Sequence, residues 1–204
     1  MAREASLVAG EAWLPVGVLL LLSALALLWP LPWLSLLGLL MAVGLLILFR
    51  DPVRRIPSTP LAVVSPVDGE VLAVEQPEEG ASGERWTVIH LRISRLAAWS
   101  IRAPVEGKVM GLRGKKQGPE RGLWLRTDEN DDIITELEGR SRPHWCRPIA
   151  FIRPGERLGQ GQRFGYRRLA REARVHIQGN LNLKVAAGDR VRAGTDMLAV
   201  LIHD

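Results

Sequence analysis

Five arginines crowd one short segment: Arg163, Arg167, Arg168, Arg171 and Arg174, opposed only by Glu172. Guanidinium groups present paired donors that match phosphate or carboxylate, so the segment is a candidate anion site. Other chemistry is sparse. The histidines at 90, 144, 176 and 203 have no metal-ligand spacing, and no metal is expected. The single cysteine, Cys146, excludes an internal disulfide. Asp68 lies in Ser-Pro-Val-Asp-Gly, where an aspartate before glycine is also an ordinary turn residue. Lys184 lacks the flanking methionines of a lysine that carries biotin or lipoate on a hairpin tip. Aromatics among the arginines are limited to Phe164 and Tyr166, and nucleic-acid binding is not expected.

These residues must be positioned by a chain of 204 residues, enough for one soluble domain and an appendage. Ala12 to Phe49 holds no Asp, Glu, Lys, Arg or His. Two prolines within Trp-Pro-Leu-Pro-Trp (29–33) divide it, which predicts two apolar helices over about 14–29 and 33–49. Each is at the lower end of spanning length, so a hairpin dipping into one leaflet stands beside two full crossings. Arg50, Arg54 and Arg55 follow directly, a pattern of the cytoplasmic side of a membrane; they also suit anionic lipid. Beyond residue 49 the chain carries 26 basic and 20 acidic residues. The organisation expected is an anchor over 1–49 and a basic head over 50–204.

The head reads as strands. They are expected at 61–64, 70–74, 86–93, 107–110, 132–137, 174–177, 181–185 and 197–202, with a helical period conceivable only over 94–100. Two internal echoes run through it. Ser-Pro-Val-Asp-Gly-Glu-Val (65–71) matches Ala-Pro-Val-Glu-Gly-Lys-Val (103–109). Pro-Gly-Glu-Arg-Leu-Gly-Gln-Gly (154–161) matches Ala-Gly-Asp-Arg-Val-Arg-Ala-Gly (187–194), each a turn, a strand and a second turn. Such pairing suits a barrel-sandwich hybrid. The fold class expected is mainly β, a barrel-sandwich-hybrid-like domain with an N-terminal helical membrane hairpin.

Six blocks in order resemble the short, membrane-anchored form of the phosphatidylserine decarboxylase family. They are Phe-Arg-Asp-Pro-Val-Arg-Arg-Ile-Pro (49–57), Ser-Pro-Val-Asp-Gly (65–69), Arg-Ala-Pro-Val-Glu-Gly-Lys-Val (102–109), Thr-Asp-Glu-Asn-Asp-Asp (127–132), Gly-Gln-Arg-Phe-Gly (161–165) and Gly-Asp-Arg-Val-Arg-Ala-Gly (188–194). The resemblance implies an enzyme of phospholipid metabolism that makes a pyruvoyl group from its own Gly-Ser bond. It also implies a possible homodimer through the β head. That chemistry needs a serine oxygen to attack the preceding carbonyl and then leave by elimination; the ketone formed serves as electron sink for decarboxylation.

By the same resemblance the family's serine falls on Arg171, within Leu169-Ala170-Arg171, and its histidine falls on Trp99. Arginine has no β-oxygen, and indole does not transfer protons near neutral pH. Tyr166 to Gly179 contains neither serine nor threonine, and no serine follows Ser141. Of the family's chemical groups Asp68 alone is kept. The chain is therefore expected to form no pyruvoyl cofactor and to be a phospholipid- or partner-binding homologue. The competing expectation is a decarboxylase with an atypical site. The residues expected to hold an anionic or amino headgroup are Arg102, Arg167, Arg168, Arg171 and Arg174, at an inner or plasma membrane with the head on the cytoplasmic side.

Overall fold

A computed structural model describes residues 8–28, 32–76, 85–113, 122–139 and 146–203. Trp29, Pro30 and Leu31 of the expected helix break, Ser141 and His144 lie outside the described residues. The chain divides into two compact units, Met1–Val53 and Arg54–Asp204.

The first unit opens with a 3-10 turn, Gly10–Ala12, and holds α1 (Trp13–Ala26) and α2 (Pro32–Leu48). Pro32 stands at the first turn of α2, where its missing N–H costs nothing. The helices meet through small residues. A Cβ at Gly38 would lie 2.2 Å from Ser23 Oγ, and Ser23 donates that hydroxyl to Leu19 O at 2.8 Å. Outside this seam the pair exposes leucines on most sides, among them Leu14, Leu21, Leu36 and Leu40. Among the described residues no helix is long and apolar enough to cross a membrane. This corrects the expectation that the two segments could each be a transmembrane helix. At 1.5 Å per residue, helices of 14 and 17 residues reach about 21 and about 26 Å, short of the ~30 Å hydrocarbon core.

The elements described in the second unit are all strands. In order come β1 (Ala62–Val64), β2 (Gly69–Glu75), β3 (Trp86–Ile93), β4 (Ser100–Arg102), β5 (Gly107–Arg113), β6 (Gly122–Arg126) and β7 (Asp132–Gly139). There follow β8 (Ile149–Ala150), β9 (Arg157–Leu158), β10 (Arg163–Tyr166), β11 (Ala170–Gln178), β12 (Leu181–Leu183), β13 (Arg190–Val191) and β14 (Met197–Leu201). Eight antiparallel strands run β13-β2-β3-β11-β7-β6-β5-β9, and two small sheets run β1-β14-β12 and β4-β10-β8. Strands β3 and β7 cover those expected at 86–93 and 132–137. Residues 94–99 form no helix but a turn and irregular chain, and Ser100 begins β4.

The sequence echo is a topological one. From the β11–β7 pair outward, β3, β2 and β13 on one side correspond to β6, β5 and β9 on the other, and the small sheets match likewise. The backbone repeats in detail. Gly155 and Gly188 have φ of +92° and +94°, and Gly161 and Gly194 have +68° and +67°, values that glycine adopts without strain. Val64 N–H donates to Pro104 O at 2.8 Å and Arg102 N–H donates to Pro66 O at 3.0 Å, so the two Pro-Val turns bond each other's neighbours. Gly69 and Gly107 begin β2 and β5 where a Cβ would strike Arg92 O and Arg126 O. The core is filled from both halves, by Val67, Val71, Ile89 and Leu91 and by Val105, Val109, Leu123 and Leu125.

Candidate functional site

Asp68 sits at the Pro-Val-Asp-Gly turn before β2, and its side chain joins three segments. Oδ2 accepts from Arg54 Nη2 at 2.7 Å and from Ala98 N–H at 3.0 Å; Oδ1 accepts from Ala193 N–H at 2.8 Å. Its carbonyl accepts from Ser94 N–H at 3.0 Å. The equivalent residue in the other half, Glu106, is 63% exposed in its side chain against 16% for Asp68, and pairs with Arg157 at 3.3 Å. Turn chemistry alone therefore does not account for Asp68, since the same turn forms around a solvated carboxylate. Arg54 is a partner that its place in the basic run after the apolar segment did not reveal.

Trp99 is 6% exposed, just ahead of β4. The guanidinium of Arg167 stands over its ring, 5.9 Å from the centroid. Arg167, also 6% exposed, donates Nε to Ala98 O at 3.0 Å and Nη2 to Ala97 O at 3.1 Å, with longer bonds to the carbonyls of Arg95 and Ala170. Burial pushes this guanidinium below its ordinary value, and the charge of Asp68 partly opposes that. Asp68, Trp99 and Arg167 thus form one cluster around the 94–98 segment.

The remaining arginines part company. Arg102, 9% exposed, donates Nη1 to Gly161 O at 3.0 Å. Arg174 points to the outer face of β11 and donates to Glu138 Oε2 at 2.7 Å. Arg163 is half-buried on β10. Arg168 is half-buried in a turn with φ +48°. Arg171 is exposed and falls at a β-bulge: Ala170 pairs with Gly139 and Glu172 with Glu138, which leaves Arg171 as the extra residue. The structure therefore does not gather the five into one cleft. It buries Arg102 and Arg167 against carbonyls and leaves Arg168 and Arg171 at the start of β11.

A cleft of about 330 Å³ lies elsewhere, between the 57–62 segment and the turn at 127–129. Glu106, Asp128 and Glu129 line it, so its charge opposes a phosphate. Arg157 bridges Glu106 and Asp128 at its edge and holds the Asp128 carboxyl below the usual carboxylate range. Among the described residues no group of three or more His, Cys, Asp or Glu could hold a metal ion.

The geometry defines a mainly β protein with a tied-down carboxylate and a buried arginine–tryptophan pair. No family model matches the chain. The chain is similar to the phosphatidylserine decarboxylase proenzyme of Nitrosomonas eutropha, 29% identical over 77% of this chain and 79% of that protein. It is also similar to the proenzymes of Nitrosomonas europaea (28% identical, 84% of this chain and 82% of that protein) and Burkholderia ambifaria (28%, 75% and 77%). Similarity of this extent supports membership of the phosphatidylserine decarboxylase family, as the ordered motifs imply.

Proposed function

We propose that this chain is a non-catalytic relative of phosphatidylserine decarboxylase that binds phospholipid at a membrane surface. The carrying observation is Arg171. By the motif resemblance it stands where the family has its pyruvoyl-forming serine, and it lies on an exposed bulge in a stretch with no hydroxyl side chain except that of Tyr166. The residues present do not fit a self-made pyruvoyl group, because neither ester formation nor elimination can be written at Arg171. The surroundings agree. Trp99, at the family's histidine position, is packed under Arg167, and both oxygens of Asp68 accept backbone N–H groups.

The membrane association rests on the first unit. Two helices without a charged residue, packed through Gly38 and Ser23 and exposing leucine on most sides, suit an apolar surround. Their lengths favour a hairpin within one leaflet, with the barrel-sandwich-hybrid-like β unit on the cytoplasmic side. Of the expected headgroup ligands, Arg171 on the exposed bulge and Arg168 in the turn before it keep that role in this reading.

The names of the relatives favour a second reading, a working decarboxylase. Intact mass spectrometry of the full chain separates the two. The expected result is one species of 22.6 kDa that gives no adduct with a hydroxylamine reagent and releases no carbon dioxide from phosphatidylserine. Cleavage before residue 171, or a carbonyl at a new N-terminus, would overturn the proposal. Arg171→Ser is expected to remain uncleaved as well, since Trp99 and the bonded Asp68 stay in place.

A further inference from the structure

The guanidinium of Arg167 bonds the carbonyls of Arg95, Ala97 and Ala98 on one side and of Ala170 on the other. It therefore holds two segments together at one edge of the β unit: 94–98 and the turn 167–170. Each carries an outward leucine. Leu96 is 71% exposed and Leu169 is 43% exposed. Leu169 N–H also bonds Cys146 O at 3.3 Å, which brings Arg147 beside the turn. Around the leucines stand Arg95, Arg147, Arg168 and Arg171, with Glu172 as the acidic neighbour on β11.

Leucine carried on a loop tip has no packing reason to face water. Here the two tips are cross-braced by a buried arginine, so their exposure is built in rather than left over. A rim of guanidinium around paired apolar tips complements a surface that is anionic outside and apolar just beneath, which is the profile of an acidic bilayer.

We propose that this edge is the face the β unit lays on an anionic lipid surface. Leu96 and Leu169 enter the headgroup region, and Arg95, Arg147, Arg168 and Arg171 pair with lipid phosphates. The inference rests on the phospholipid-binding reading above and names its contact surface. Arg167 acts as a positioning residue, because it sets the spacing of the two tips and does not itself reach lipid.

The test uses the full chain in vesicles, with an environment-sensitive fluorophore on Leu96→Cys, Leu169→Cys or Ile202→Cys. Ile202 is a control, 48% exposed near the C-terminus; unsubstituted protein measures labelling of the buried Cys146. In vesicles containing phosphatidylglycerol, labels at 96 and 169 are expected to be quenched by bromine-bearing acyl chains severalfold more than the label at 202. That excess should vanish in purely phosphatidylcholine vesicles, and should fall roughly fivefold or more when Arg168 and Arg171 are both changed to Glu. Labels at 96 and 169 that stay as wet as the control, or that are shielded equally without lipid, would overturn the proposal; the latter would indicate a protein–protein contact. This result is independent of chain cleavage, so it fails separately from the non-catalytic assignment.

Discussion

Residue 167 shows how a charged side chain can become structural. Its guanidinium is buried and satisfied by main-chain oxygens rather than by a carboxylate, so its removal strands carbonyls that water does not reach. Arg167→Leu is expected to destabilise the β unit by about 2–4 kcal/mol, which chemical denaturation of the detergent-solubilised chain would measure. Arg167→Lys should recover only part of this, since one ammonium cannot span the same carbonyls in a planar fork. The surface pair Arg157–Asp128 behaves differently. The carboxyl of Asp128 is held low by the bond from Arg157, so its contribution is complete above the unfolded value near 4 and disappears as pH falls through the lower folded value. Asp128→Asn should therefore be slightly less stable than the parent at neutral pH, with the gap closing in acid. A gap that widens below pH 4 would contradict this origin. The arginine run was conspicuous in the sequence, but residue type could not tell which members face inward. Alternation along β11 separates Arg174 from the core, whereas the roles of Arg102 and Arg167 depend on carbonyls contributed by segments far away in the chain.

At the scale of elements, Trp86–Ile93 was legible as a strand and its burial alternates along the chain. Asp132–Gly139, expected to alternate with one wet face, is instead a strand buried at every residue from Asp132 to Thr135. The strands not foreseen are short or lack a β-branched run: Ser100–Arg102, Gly122–Arg126, Ile149–Ala150 and Arg163–Tyr166. They exist because partners supply the pairing. Gly165, for example, lies where a Cβ would be 2.1 Å from Ile149 O, so β10 and β8 approach only through glycine. The turn-strand-turn echoes were legible, and their equivalence makes a quantitative prediction. Gly155 and Gly188 share a positive φ and have open space around them, so alanine at either position meets strain alone. Each substitution should cost about 1–2 kcal/mol, and the two costs should agree. Gly161→Ala should cost more, because its Cβ would also lie 2.7 Å from Ile56 Cγ1. Thermal melts of the three variants would rank them. A clear inequality between the first two would show that the repeat is topological without being energetic.

For the whole molecule, the sharp change in composition near residue 50 matches the division into two compact units. The β unit has its own core, drawn entirely from residues beyond Val53, and a surface rich in arginine. The helical unit leaves large leucine surfaces uncovered. If the first provides permanent anchoring and the second an electrostatic contact, removal of residues 1–53 should separate the two. The full chain should need detergent at any ionic strength, because apolar burial is insensitive to screening. The shortened chain should fold, remain in solution alone, and bind phosphatidylglycerol vesicles reversibly. That binding should weaken steeply as salt rises from about 0.1 to about 1 M, over which the Debye length falls from about 10 to about 3 Å. Vesicle sedimentation across a salt series measures this. Salt-independent binding by the shortened chain would assign the membrane contact to apolar surface on the β unit, whereas no binding at low salt would place all affinity in the helices.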